Sequence, residues 1–182
     1  GDREIMRRKR RGAAHGIASM MAGRGCVYHC TYCFNHAFNN LYGRKKASIR
    51  FRSVGNLIEE AKEIKAVEKP RMVFFADDCF IVNKNWLREF AERWPAEVGL
   101  PFSCSGRYNL HDEENMSLLE KAGCMTVYAA VETGDDNLRN GLLKRHMSRE
   151  QILRGAAMVR KHNMALLTQS ILALPHSTLQ SD

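Results

Sequence analysis

Gly25-Cys26-Val27-Tyr28-His29-Cys30-Thr31-Tyr32-Cys33-Phe34 is the stretch from which the rest of this chain is read. Cys26, Cys30 and Cys33 follow the spacing C-x-x-x-C-x-x-C. Thiolates are soft ligands that favour zinc or iron–sulfur clusters. Three of them can hold three irons of a cubic four-iron cluster and leave the fourth iron open to another ligand. Ferredoxin-type runs differ in spacing and use a fourth cysteine. A structural zinc site is the alternative; it prefers four ligands, and His29 or His36 would supply the fourth.

Cys79, Cys104 and Cys124 are scattered singly, and read as small buried apolar residues rather than ligands. A tight triad plus three lone cysteines fits a reducing cytosol and one metal site better than a disulfide framework.

The chain has 182 residues, 45% of them hydrophobic, which suits one globular domain. No run of eighteen apolar residues occurs to cross a membrane. Residues 1–15 read as a basic linker from an upstream domain, and 16–182 as the folded core. Arg3, Arg7, Arg8, Lys9, Arg10 and Arg11 precede no apolar segment, so the start is not a signal peptide. Nor do aromatics interleave with these charges as on a nucleic-acid platform. The remaining part of the +8 net charge reads as dispersed along the chain. The first residue is not methionine and the last two are Ser181 and Asp182; the chain reads as a piece of a longer protein.

Short apolar runs alternate with amphipathic stretches, the pattern of an α/β protein with a parallel sheet. Strands are expected at about 16–21, 72–76, 102–105, 126–131 and 166–172. Helices are expected at about 54–67, 84–94, 112–122 and from Ser148 to near Asn163, with a short one from Asp135 to about Leu143. Ser53 reads as an N-cap, Gly123 as a C-terminal stop, and Ser148 with Gln151 as a capping box. Asn39 to Gly43 read as turns. Active sites of parallel sheets lie at the C-terminal ends of the strands, and the candidate residues below all follow strands.

Together with Phe75-Ala76-Asp77-Asp78-Cys79-Phe80, Lys121-Ala122-Gly123-Cys124 and Ala130-Val131-Glu132-Thr133-Gly134, the cysteine loop resembles the radical S-adenosylmethionine superfamily. The resemblance spans roughly residues 17–182. It is strongest to the subfamily that usually carries an upstream cobalamin-binding domain. It implies a partial (β/α)6 barrel, a curved parallel sheet with helices outside, cut after the fifth of six strands.

The resemblance also implies a 4Fe-4S cluster on Cys26, Cys30 and Cys33. S-adenosylmethionine would bind at the open iron and be cleaved reductively to begin radical chemistry. Tyr32, the aromatic before the third cysteine, belongs to the cofactor site. Asp77 or Asp78 would meet the methionine amine, only one of two neighbours at a strand end facing the ligand. Glu132 would accept ribose hydroxyls or the amine, and Ser103, Ser105 or Arg107 would contact ribose or carboxylate. Arg145 reads as a surface arginine, to which the resemblance attaches a cofactor-carboxylate role. Tyr28, Phe34, Phe38 and Tyr42 are expected to shield the cluster.

Strand five ends in Ala173-Leu174-Pro175-His176-Ser177-Thr178, without the glycines and acid usual in the subfamily. His176 reads as a solvated loop histidine. The implied activity is cobalamin-dependent methyl transfer or a related bond-forming step on a small molecule, in the cytoplasm. The electron would come from a donor such as a flavodoxin or ferredoxin. A methylthiotransferase acting on RNA or protein is the enzymatic alternative, and a non-catalytic iron–sulfur or zinc module the alternative of another class.

Overall fold

Ser53, Asn83, Asp112 and Ser148 each open a helix by accepting a hydrogen bond from the backbone N–H three residues on, satisfying a donor that the first helical turn leaves free. The computed structural model describes residues 16–41 and 49–178, His36 by its main chain alone. The basic residues 1–15, Tyr42, Gly43 and the last four positions lie outside the described residues.

In chain order the elements are β1 (Ile17–Met20), β2 (Gly23–Arg24), α1 (Asn35–Leu41), β3 (Arg50–Phe51), α2 (Val54–Glu68), β4 (Met72–Phe75), α3 (Lys84–Glu97), β5 (Phe102–Ser105), α4 (Glu113–Ala122), β6 (Cys124–Glu132), α5 (Arg149–Lys161) and β7 (Ala165–Ser170). Five strands form one sheet in the order β1-β4-β5-β6-β7. Every pairing within it is parallel. Parallel neighbours need a crossover, and α2, α3, α4 and α5 supply the four between successive strands. This is the parallel α/β sheet that the alternation implies and the partial barrel that the resemblance implies, and its strands all end at one edge.

Burial holds the helices on the sheet. Leu57, Ile58, Ala61 and Ile64 face inward from α2, and Trp86, Leu87, Phe90, Ala91 and Trp94 from α3. Phe75 sits among Phe80, Phe90, Trp94 and Phe102 with ring centroids 4.7–5.7 Å away, mostly edge to face. The buried indoles keep their N–H groups satisfied, Trp94 on the Leu100 carbonyl and Trp86 on that of Arg52. Gly123 closes α4 in the left-handed region (φ 87°), where glycine alone has no Cβ penalty.

Several local expectations are corrected. The helical spacing of Leu57, Ile58, Ala61, Ile64 and Val67 reads as one apolar stripe of α2, but Val67 is 57% exposed and lies outside it. Asn39 and Asn40 do not turn; they lie in α1, where the Phe34 carbonyl accepts from Phe38 N–H at 3.0 Å and the two rings meet edge to face. An i,i+4 aromatic pair and burial of Asn39 outweigh asparagine's turn preference. Helix α3 runs through Pro95 to Glu97. Near a helix end proline forgoes only its own hydrogen bond, and Val98 N–H still reaches the Trp94 carbonyl. The antiparallel β2–β3 ribbon is two residues long, too short to show periodicity.

Candidate functional site

Cys26, Cys30 and Cys33 line one cavity of about 190 Å³ at the C-terminal edge of the sheet. Asp78 and Cys79 from the end of β4, Ser105, Gly106 and Arg107 from β5, and Ala130 and Glu132 from β6 form other walls. With Gln169 from β7, four separate strand ends and a loop converge on one space, as the common edge requires.

The cysteine loop is fastened at both ends. At its entry, Asp77 accepts from Ala22 N–H at 3.0 Å and from Gly23 N–H at 2.5 Å. Burial pushes the Asp77 carboxyl up to about 6, against the lowering effect of these two donors. At its far side, Thr31 N–H and hydroxyl donate to the carbonyls of Leu143 and Leu142 at 3.2 and 2.7 Å. Between them, Cys33 N–H closes a turn on the Cys30 carbonyl at 3.1 Å.

Tyr32 ties the loop to β6. Its hydroxyl donates to Glu132 Oε1 at 2.5 Å, and Arg145 Nη1 reaches both that oxygen, at 3.1 Å, and the Tyr32 hydroxyl. Burial and the Glu132 bond drive the Tyr32 hydroxyl well above its ordinary pKa. Arg145 Nη2 also donates to the Ala130 carbonyl at 2.7 Å. Glu132 adopts φ 69° where the β6–β7 register shifts; a bulge of this kind re-aims a side chain. Lys144 and His146, on either side of Arg145, are also left-handed, at φ 51° and 50°. Non-glycine residues so held are strained, and such strain gathers at functional sites.

Arg107 is a buried guanidinium, 6% exposed. It stacks on the Tyr28 ring at 3.7 Å and donates to the Arg145 carbonyl. Among the described residues no carboxylate pairs with it. The Nε atoms of Arg107 and Arg145 are both buried without a partner. Unpaired buried cations are costly, so this wall is built for an anionic group.

The candidate residues divide by position. Tyr32, Asp78, Ser105, Arg107 and Glu132 line the cavity with the triad. Asp77 turns away to hold the loop backbone, and Ser103 is buried in the sheet. Arg145 is buried, not superficial. Of the expected aromatic shield, Tyr28 lines the cavity, whereas Phe34 and Phe38 are exposed. Cys79 lines the cavity too, its thiol pushed up to about 12 by burial. Cys104 and Cys124 are buried, and burial together with a hydrogen bond between them raises Cys104. His176 is exposed. Sequence reasoning missed Gln169, Asn35 and the burial of Arg145; the only signal for the last was a strand-end glutamate needing a cation.

The donor set suits a thiolate-held cluster. Cys26 is hard to ionise in the bare protein, first through burial, with Asp78, Cys30 and Cys33 adding repulsion. A bound metal reverses this, because a coordinating thiol is deprotonated outright. Among the described residues no three of His, Cys, Asp and Glu gather as a ligand set for a single ion.

The family model described as "Radical SAM superfamily" matches residues 20–181. The chain is 27% identical over 137 residues to cytidylyl-2-hydroxyethylphosphonate methyltransferase of Streptomyces wedmorensis, covering 74% of this chain and 24% of that protein. It is 24% identical over 168 residues to hopanoid C-2 methylase of Rhodopseudomonas palustris (strain TIE-1), covering 89% and 31%. A solved structure of the radical S-adenosylmethionine methyltransferase TsrM from Kitasatospora setae, with cobalamin and a [4Fe-4S] cluster bound, superposes with a TM-score of 0.75 at 20% identity. The match covers 92% of this chain and 33% of that one. The chain thus spans a third or less of the length of these three relatives.

Proposed function

Because the chain belongs to the radical SAM superfamily, we propose that it is the core of an enzyme that reductively cleaves S-adenosylmethionine and directs the radical to methyl transfer or a related bond-forming step on a small molecule. Cobalamin, which the solved TsrM structure carries, would be held by a domain outside these residues. The observation that carries the reading is the joining of three thiols and an acid-free buried arginine in one strand-edge cavity.

Cys26, Cys30 and Cys33 would hold the four-iron cluster. Such a cluster would supply the single electron for cleaving S-adenosylmethionine, and these residues would position the two cofactors. Arg107, which no carboxylate pairs with among the described residues, suits the methionyl carboxylate through charge-assisted hydrogen bonds. Asp78, in the same wall, suits the amine. Ser105 offers a hydroxyl, and Glu132 an acceptor fixed by Tyr32 and Arg145. Tyr28, stacked on Arg107, would close one side of the centre. Six unpaired cysteines support a reducing cytosolic setting, and the electron would come from a flavodoxin- or ferredoxin-type donor.

Anaerobic reconstitution should load about four irons per chain, the content of one such cluster. Added dithionite and S-adenosylmethionine should give 5′-deoxyadenosine. Replacing the three loop cysteines together with alanine should abolish both. Stoichiometric zinc with no iron–sulfur absorption would overturn the reading, and iron loading without any cofactor cleavage would reduce it to a binding module.

A further inference from the structure

Asn35 lines the cavity with the three thiols, yet takes no part in the function proposed above. It is 4% exposed, so its amide has left water and must find partners inside the protein. Its Nδ2 donates to the Cys33 sulfur at 3.4 Å, an ordinary length for an acceptor as large as sulfur. Donor and acceptor are two residues apart and both are held by main chain. Phe38 N–H on the Phe34 carbonyl, at 3.0 Å, fixes the first turn of α1, which Asn35 begins. Cys33 N–H on the Cys30 carbonyl, at 3.1 Å, fixes the backbone that carries the thiol.

The Cys26 sulfur likewise accepts a bond from the Tyr28 main chain, while Asp78 places negative charge close to it. The Tyr28 donor belongs to the backbone, and no substitution removes it. Asn35 is a side chain, so its contribution can be taken away by itself.

A cluster's reduction potential is set by its net charge, by hydrogen bonds to its sulfurs and by its exposure. Reduction adds one negative charge, much of it spread over the sulfurs. An N–H aimed at a ligand sulfur therefore stabilises the reduced form more than the oxidised one, because bonds to the more highly charged acceptor are stronger. A carboxylate such as Asp78 acts in the opposite sense. Arg107 also favours negative charge in this cavity, but its own charge would be matched by the methionyl carboxylate. The Asn35 dipole has no such counterpart and stays in force when the cofactor binds.

We propose that Asn35 tunes the cluster, its amide N–H on the Cys33 sulfur raising the midpoint potential and so easing one-electron reduction. The proposal rests on the functional reading above. Asn35 acts through Cys33 and is a tuning residue, not a catalytic one. A residue that merely shaped the loop would change iron loading or stability and leave the potential of a loaded cluster where it was.

The test is an anaerobic redox titration of the iron-loaded chain, read by the electron paramagnetic resonance signal of the reduced cluster. It compares the parent with Asn35→Leu, which is close to asparagine in size, and Asn35→Val, which is slightly smaller; neither carries the N–H. Each should lower the equilibrium constant for reduction about tenfold, which is about 59 mV for one electron. An unchanged or raised midpoint potential in whichever variant keeps its iron would overturn the tuning role while leaving the function standing. Loss of the cluster from both variants would make Asn35 a structural residue of the loop and overturn the tuning role as well. A parent that forms no reducible four-iron cluster would overturn the function, and the tuning with it.

Discussion

The aromatic cluster around Phe75 and the ionic cluster around Arg145 lie in one sheet but depend on different physics. Phe75, Phe80, Phe90, Trp94 and Phe102 are fully buried and touch one another through ring edges. Their stabilisation is burial, which is non-directional and needs no ligand. Glu132, Arg145, Tyr32 and Arg107 are held by directed bonds in a low-dielectric wall, with guanidinium nitrogens left unpartnered. Such a network is complete only when an anion joins it. One region makes the fold, and the other spends some of that stability on being ready for a ligand.

The sharpest test of this contrast is Phe75→Ala. It should cost about 4 kcal/mol, the usual range for a buried aromatic, measured by chemical denaturation. Added S-adenosylmethionine should not repair it selectively. A loss near zero would show that the ring cluster is not the source of stability.

Next comes Glu132→Ala. It strands the buried Arg145 cation and should cost about 3 kcal/mol. Affinity for S-adenosylmethionine should fall while iron content is kept; Glu132→Gln, which retains an acceptor, should lose less of each. Unchanged cofactor affinity in both variants would confine Glu132 to a structural role.

The pH dependence separates the regions further. His111 is buried behind Gly106, and burial holds it down at about 4. Its folded value is below the ordinary 6.5, so the unfolded chain binds its proton first, and stability from this group is lost as pH falls from 6.5 to 4. Asp77 has the opposite sign. Its folded value of about 6 exceeds the ordinary 3.8, so stability is gained as pH falls from 6 to 3.8. Each contribution is about 3 kcal/mol at full extent, and in the parent the two nearly cancel. In His111→Asn the balance is broken, and stability should rise by up to about 3 kcal/mol between pH 6.5 and 4 relative to the parent's curve. Parallel denaturation curves in the two proteins across that window would remove the His111 assignment.

The smallest expected effect is in Ser148→Ala. Ser148 and Gln151 form a reciprocal capping box at α5, and its loss should cost about 1 kcal/mol. Iron loading should be unaffected, because neither residue lines the cavity. A large drop in loading would mean that α5 transmits strain to Arg145 through Met147 and His146.

What the amino-acid sequence determined by itself was everything carried by local chemistry. The five strands, the four crossover helices and the caps at Ser53 and Ser148 follow from apolar periodicity and from side chains that bond their own backbone; Asp112, read as the first helical residue, is instead the cap of α4. The thiol triad was legible because its ligands are close in sequence. Tertiary structure alone decided which of two neighbours faced the cavity at the end of β4, because backbone direction there is set by the loop that Asp77 holds. It also decided that Arg145 is buried. That residue meets Glu132 from 13 positions away and Tyr32 from 113, and pairing across such separations leaves no periodicity to read. The opposition of Arg24 to Arg50 arises in the same way, from a ribbon two residues long whose register only the folded chain creates.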